Sequence, residues 1–247
     1  MQLYIIRHCQ SQNNELWKRT GSSNGRLADP PLTATGYQQA ELLAQHLADP
    51  LRGQVRSRSI ENSILAYNMT HLYCSLMRRS IETGLAISEA IALPLTIRED
   101  IHERGGIYLK NPESQEREGL PGPNRDFFQT TYPSLVLPDT LGEDGWWNRP
   151  YEDREMALSR AGDFLRWLVA EHDGTEDRVA LVTHGGFIQS LFQTLFQSPL
   201  IENSLRATRE IWFKANNGSI TRIDFMEEVI RLTYQNRVDF FPAHLIT

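Results

Sequence analysis

Apolar positions fall along the chain in short runs and helical stripes that alternate with one another. "LYII" (3–6) is a continuous apolar run of strand length that stops abruptly at Arg7-His8. Residues 33–48, "TATGYQQAELLAQHLA", set Ala40, Leu43, Ala44 and Leu47 on one helical stripe. Asp49-Pro50 ends that helix, because a residue preceding proline is pushed out of the helical region. "HLYCS" (71–75) predicts a short strand, "RRSIETGLAISEAI" (78–91) a helix, and "LPLTIRED" (93–100) another strand. Ala157, Ala161, Phe164, Leu165 and Leu168 share a helical face over 152–171. "RVALVTHGG" (178–186) reads as a buried strand that, like the first, runs into a histidine, and "FIQSLFQTLF" (187–196) as an apolar helix. "EIWFKA" (210–215), "SITRIDF" (219–225) and "VIRLTYQ" (229–235) predict strands around an Asn217-Gly218 turn.

Two stretches lack a period. A polar insertion covers about 49–70, and a Gly/Pro/Asn-rich segment covers 104–150. An irregular segment of the latter length in a compact domain is more often functional than filler. The alternation of strands and helices elsewhere predicts one α/β domain over 1–247 with a largely parallel sheet.

Composition narrows the partners. The 247 residues carry a net charge of −6, so there is no global basic field to hold nucleic acid or an anionic membrane. Any bound anion must be held by a local cluster. No apolar run approaches the roughly 18 residues of a spanning helix, and the chain enters its first strand without a signal-peptide pattern. Cys9 and Cys74 are the only cysteines, which is no disulfide framework. A cytoplasmic protein is expected, with its oligomeric state open.

The candidate chemistry sits at strand ends, where open α/β sheets bind ligands. Arg7-His8 and His184 follow two strands, Ser75 and Arg78-Arg79 follow a third, and Glu103 lies just beyond a fourth. A lone histidine at a strand end is more often structural. Two histidines, two arginines and a carboxylate at one edge would suit phosphoryl transfer through a histidine: an imidazole attacks phosphorus, cations hold the oxygens, and a carboxylic acid protonates the leaving group. His46, His71, His172 and His244 lack such context and read as structural. Competing motifs fail. "GSSNG" (21–25) formally matches a nucleophile elbow but lacks the strand before it and the helix after it. "HERGG" (102–106) lacks the second zinc histidine, and neither cysteine has the arginine six places on that a cysteine phosphatase requires.

At these residues the chain resembles the histidine phosphatase superfamily, also called phosphoglycerate mutase-like. "RHCQSQNN" matches the opening Arg-His-Gly block with Cys9 in the glycine place, and "RTG" (19–21) and "PLTATGYQQA" (31–40) match the next blocks. "YCSLMRRSIETG" puts the family arginine on Arg79, with Leu76 in place of a proline; "IHERGG" puts the acid/base glutamate on Glu103, and "VTHGGFI" puts the second histidine on His184. These blocks, in the right order, cover 1–103 and 152–190 in pieces. The resemblance implies a three-layer αβα sandwich with a mostly parallel central sheet and insertions forming a cap. It also implies His8 as nucleophile, Arg7, Arg79 and His184 as phosphate clamp and Glu103 as proton donor, with no metal or cofactor. Asn14, Arg19, Thr20, Gly21 and Gly185 would be phosphate contacts, the first four being otherwise ordinary loop residues.

The expected activity is hydrolysis of a small phosphorylated metabolite. The alternatives are a phosphomutase and, from another class, a non-catalytic phospholigand-binding protein. Residues 104–150 are expected to form a substrate-selecting lid, with Arg104, Arg117 and Arg125 for further anionic groups and Tyr108, Phe127, Phe128, Trp146 and Trp147 as an apolar wall. Packing of Trp146-Trp147 against the helix at 152–171 is an equal alternative.

Overall fold

The computed structural model describes residues 1–49, 67–196 and 211–247. Its main sheet has six strands in the order β3-β2-β6-β1-β7-β8: β1 (Gln2–Arg7), β2 (His71–Cys74), β3 (Leu95–Ile97), β6 (Arg178–Thr183), β7 (Ile220–Phe225) and β8 (Ile230–Arg237). β3, β2, β6 and β1 are parallel, and β7 and β8 add an antiparallel edge. The remaining pair, β4 (Tyr108–Lys110) and β5 (Arg117–Gly119), forms a separate hairpin.

β1 shows why the sheet needs a layer on each face. Tyr4 and Ile6 point into a cluster with Ala40, Leu43 and Leu47 of α2 (Ala34–Ala48) and Ile81 and Ile87 of α3 (Arg78–Ile91). Leu3 and Ile5 point the other way, into Ala161, Phe164 and Leu168 of α5 (Arg154–His172) and Phe187 and Leu191 of α6 (Gly185–Leu195). A strand buried on both faces reads as an unbroken apolar run, whereas a one-sided strand alternates. The result is the αβα sandwich expected from the resemblance. The stripe expected on α2 is the buried one, and Gly36 on that helix is required for close approach: a Cβ there would lie 2.1 Å from the Gln10 carbonyl oxygen.

Several elements differ from the sequence expectation. The polar stretch after Cys9 is a helix, α1 (Gln12–Thr20), with no buried residue. Its ends rather than a stripe make it helical. Ser11 and Asn14 form a capping box at its start, and Gly21 closes it in the left-handed region at φ 64°. The strand expected over 93–100 shortens to Leu95–Ile97 and runs into a 3₁₀ turn at Glu99–Ile101. β6 ends at Thr183, so Gly185 and Gly186 open a helix rather than close a strand. Residues 211–215 are not a strand, and Glu210 of that segment lies outside the described residues. The Asn217-Gly218 turn consequently joins no hairpin; it braces the end of β1, with the Gly218 N–H donating to the Arg7 carbonyl at 3.0 Å. Of the 49–70 insertion, 50–66 lie outside the described residues.

The 104–150 segment does two jobs. Ile107, Phe128, Tyr132, Leu135, Leu141, Trp146 and Trp147 are buried in the core cluster shared with α2 and α3, which includes α4 (Arg125–Thr131) through Phe128. Its opening residues and the β4–β5 hairpin reach a cavity, through Arg104, Tyr108 and Arg117.

Candidate active site

The parallel register of β1 and β6 brings the two strand-end histidines together. Arg7 pairs with Thr183, and the His8 N–H donates to the Thr183 carbonyl at 2.8 Å. The His8 and His184 rings therefore sit with centroids 5.0 Å apart despite their separation in sequence.

The His8 ring is fixed as a tautomer. Nδ1 lies 2.7 Å from the Cys9 carbonyl, which can only accept, so Nδ1 carries the hydrogen and Nε2 keeps its lone pair. That lone pair faces the Arg79 Nε–H at 3.2 Å. Burial, with the Arg79 and Arg7 charges beside it, pushes the imidazole well below its usual pKa, so it is neutral in the physiological range. Arg79 also contacts Asp29, whose carboxyl burial lifts to about 6 against the opposing pull of Arg79. Arg7 donates from Nη1 to the Ala215 carbonyl at 2.6 Å, and its buried Nε–H has no partner among the described residues.

His184 is fixed from its far side. Ser75 Oγ accepts from the Met77 N–H at 3.3 Å and lies 2.6 Å from His184 Nε2. The hydroxyl keeps a second lone pair and its own hydrogen, so this contact holds the ring in place through Nε2 in either tautomer. The ring's Nδ1 is buried without a partner among the described residues. Burial, and then Arg79, hold His184 well below the usual histidine pKa.

Glu103 is delivered by a chain of anchors on the α5/α6 side. Thr183 Oγ1 donates to the Ile101 carbonyl at 2.7 Å, and His102 Nδ1 lies 2.9 Å from the Glu103 carbonyl. Arg160 of α5 grips the Asp100 carbonyl and the buried Glu152 carboxylate. The Glu103 carboxylate then packs against the start of α6, accepting from the Arg104 N–H at 2.8 Å. A Cβ on Gly186 would lie 2.2 Å from Glu103 Oε1, so this approach requires the glycine. His184, the N-cap of α6, makes no side-chain cap bond, which leaves the amides of the first turn open as anion donors.

A cavity of about 610 Å³ opens over this floor and is lined by His8, Arg7, Arg79, Glu103, Asn14 and Gly185. His184 lies beneath, against His8. Asn14 accepts from Ser11 and from Asn217 Nδ2, whose amide also donates to the His8 carbonyl at 3.0 Å. Arg19, Thr20 and Gly21, expected as phosphate contacts, do not line the cavity. They are exposed at the end of α1, where Thr20 Oγ1 donates to the Leu16 carbonyl and Gly21 serves as the helix cap. Ser22, Ser23 and Arg26 from the same loop line it instead.

Of the expected lid residues, Arg104, Tyr108 and Arg117 line the cavity. Arg125 is tied to the Leu141 and Pro138 carbonyls, and Trp146 and Trp147 pack in the core around His102. Sequence reasoning missed Asn217, Gly186 and the Ser75 contact. Ser75 stood at a strand end in a matched block, whereas Asn217 gave no signal beyond a turn dipeptide. Cys9 packs in the core, its thiol pushed up to about 12 by burial, which removes it as a nucleophile.

Paired imidazoles thus lie beside two guanidinium groups at the carboxyl ends of parallel strands. The chain belongs to the histidine phosphatase superfamily (branch 1), whose family model matches residues 3–237. It is 26% identical over 238 residues to "Putative phosphoserine phosphatase 2" of Hydrogenobacter thermophilus, covering 96% of this chain and 95% of that protein. Its fold is shared by a mycobacterial glucosyl-3-phosphoglycerate phosphatase solved with VO3, at TM-score 0.56, 18% identity and coverage of 96% and 99% of the two chains. A phosphoserine phosphatase from Entamoeba histolytica, solved with 3-phosphoglyceric acid, shares it at TM-score 0.56, 18% identity and coverage of 97% and 98%. No helix among the described residues is long and apolar enough to cross a membrane.

Proposed function

We propose that the protein is a phosphomonoesterase that hydrolyses a small phosphorylated metabolite through a phosphohistidine on His8. The observation that carries this reading is the His8 tautomer: Nδ1 is committed to the Cys9 carbonyl, and the Nε2 lone pair faces the cavity floor beside Arg79. In the first step Nε2 bonds to phosphorus as the bond to the leaving oxygen breaks, and the proton on Glu103 goes to that oxygen. The hydrogen on Nδ1 stays in place, where the Cys9 carbonyl stabilises the positive charge on the phosphorylated ring. In the second step the Glu103 carboxylate takes a proton from water, the hydroxide bonds to phosphorus, and the bond to Nε2 breaks.

Charge on the transferring group is met by Arg7 and Arg79, with His184 backing His8 from beneath the floor. The unsatisfied Arg7 Nε–H and the open amides at the start of α6 are further donors in the same place. Asn14, whose side-chain oxygen is committed, offers its amide nitrogen. A reducing, cytoplasmic setting accords with two buried free thiols, Cys9 and Cys74.

The test is a quench into alkaline detergent after mixing with ³²P-labelled p-nitrophenyl phosphate under a chelator. An acid-labile, base-stable adduct on His8 is expected, absent from His8→Ala, which should lose at least about 10³-fold in turnover. A His8→Ala protein with parental turnover would end the proposal.

A further inference from the structure

At the opposite end of the sheet from the cavity, three side chains converge that the reaction does not use. His71 opens β2, His172 closes α5 and Asp177 immediately precedes β6. The parallel pairing of β2 with β6 sets His71 against Val179, two residues beyond Asp177. One donor atom from each of the three lies within 4.8 Å of the others. His172 Nδ1 is 2.9 Å from Asp177 Oδ2, and His71 Nδ1 is 3.9 Å from Asp177 Oδ1.

We propose that His71, His172 and Asp177 form a binding site for a transition-metal dication of the zinc type. Zinc ligands sit at about 2.0–2.2 Å from the metal in a tetrahedral array, which puts donor atoms roughly 3.3–3.5 Å apart. The two measured gaps run to the two carboxylate oxygens of Asp177, and a set of one donor per residue spans up to 4.8 Å, so side-chain rotations that move donors by about an ångström would close the array. Two imidazole nitrogens and one carboxylate oxygen suit zinc, whereas magnesium and calcium take oxygen ligands.

The surrounding groups fit the same reading. Metal at His172 Nδ1 replaces the hydrogen now shared with Asp177, and the ring hydrogen moves to Nε2. Tyr73 Oη stands 3.3 Å from Nε2 to accept it, the outer hydrogen bond that metal-bound histidines characteristically make. His71 Nδ1 is held by Thr70 Oγ1 at 2.9 Å, and that hydroxyl has a second acceptor, the Arg178 carbonyl at 3.4 Å. Freeing Nδ1 therefore strands no donor. The His172 side chain is 2% exposed and forms the base of the site, while His71 at 39% and Asp177 at 25% leave a solvent side for a fourth, water ligand. Such an ion would join the end of α5 to the starts of β2 and β6, the strands whose far ends carry Ser75 and His184.

The test is calorimetric titration of the full-length protein with zinc, paired with the visible spectrum of its cobalt form. The expected result is a site whose cobalt spectrum has the intense bands of tetrahedral coordination, and whose zinc affinity falls more than about 10-fold in both His71→Ala and Asp177→Asn, the loss seen even for outer-shell partners. Circular dichroism shows that the variants are folded, and the exposed His71 makes that variant the safer one. Zinc raising the melting temperature of the parent but not of His71→Ala is the second expected readout. Zinc binding undiminished in the two folded variants, or a parent that takes up no zinc at micromolar concentration, would overturn the proposal.

Discussion

Arg7 and Thr183 are register partners in the β1–β6 pair, and this one relationship decides the chemistry, because the next residue on each strand is a histidine. His8 and His184 are then held by backbone hydrogen bonds as well as by their own side-chain contacts. The site inherits the rigidity of the most buried part of the sheet.

Glu103 as proton donor predicts a dependence on the leaving group. Glu103→Gln should slow an alkyl phosphate by about 10²–10⁴-fold, the usual contribution of general acid catalysis. It should slow p-nitrophenyl phosphate far less, since that phenolate leaves unaided. Rates measured on the two substrates check this, and equal losses would remove Glu103 from the role.

Gly186→Ala should reproduce much of the Glu103→Gln phenotype without touching a polar group. The added methyl would occupy the position 2.2 Å from Glu103 Oε1 and displace the carboxylate. The expected outcome is a fall in kcat on alkyl phosphates, with the melting temperature lowered only slightly because the start of α6 lines the cavity. Unchanged kcat would mean that the carboxylate position is not critical.

Ser75→Ala should act through His184. Loss of the 2.6 Å contact leaves Nε2 buried without a partner and loosens the ring. A buried unsatisfied group costs about 1–3 kcal/mol of stability, so the melting temperature should fall, and kcat/KM should fall with the loosened ring. Cysteine at this position, a weaker donor, should fall between. A Ser75→Ala enzyme with parental kcat/KM would show that this contact does not position His184 for the reaction.

Stability should fall on acidification below pH 6.5. His8, His102 and His184 all have pKa values lowered by burial. The unfolded chain binds protons at these positions below about 6.5 while the folded chain does not, so stability is full above that pH and is lost as pH falls. Asp29 acts in the opposite sense: its carboxyl, raised to about 6, takes up a proton in the folded state first and offsets one of the three. The three histidines outweigh the single carboxyl, so the net effect is a loss of stability as pH falls toward 5. Urea midpoints from pH 7.5 to 5 measure it. His102→Gln should reduce the slope, and a flat profile would contradict the buried neutral histidines.

The hairpin should set substrate preference without setting chemistry. Tyr108 and Arg117 line the cavity from β4 and β5, so Tyr108→Ala and Arg117→Ala should change KM for metabolite phosphoesters and leave p-nitrophenyl phosphate turnover nearly intact. An unchanged ranking across a substrate panel would locate selectivity elsewhere. Replacing the whole segment is not an equivalent test, because Ile107, Phe128 and Leu141 belong to the core and the chain would lose stability.

Where the sequence carries a strong period, it determined the element. The α2 stripe, the buried run of β1 and the apolar face of α5 each follow from residues whose burial is set by local spacing. It likewise determined which residues stand at strand ends, and so the catalytic candidates. It could not determine α1, which buries nothing and is held by its caps. Nor could it show that the Asn217-Gly218 turn braces the end of β1, because residues 211–215 do not pair as a strand. The orientation of the second imidazole was decided by the tertiary structure alone. Nδ1 of His8 meets the carbonyl of its own neighbour Cys9, whereas Nε2 of His184 meets the hydroxyl that follows β2, a contact that exists only once β2 and β6 lie side by side. Arg19, Thr20 and Gly21, which the resemblance made phosphate contacts, stand outside the cavity lining because α1 carries the chain away from His8 along its axis.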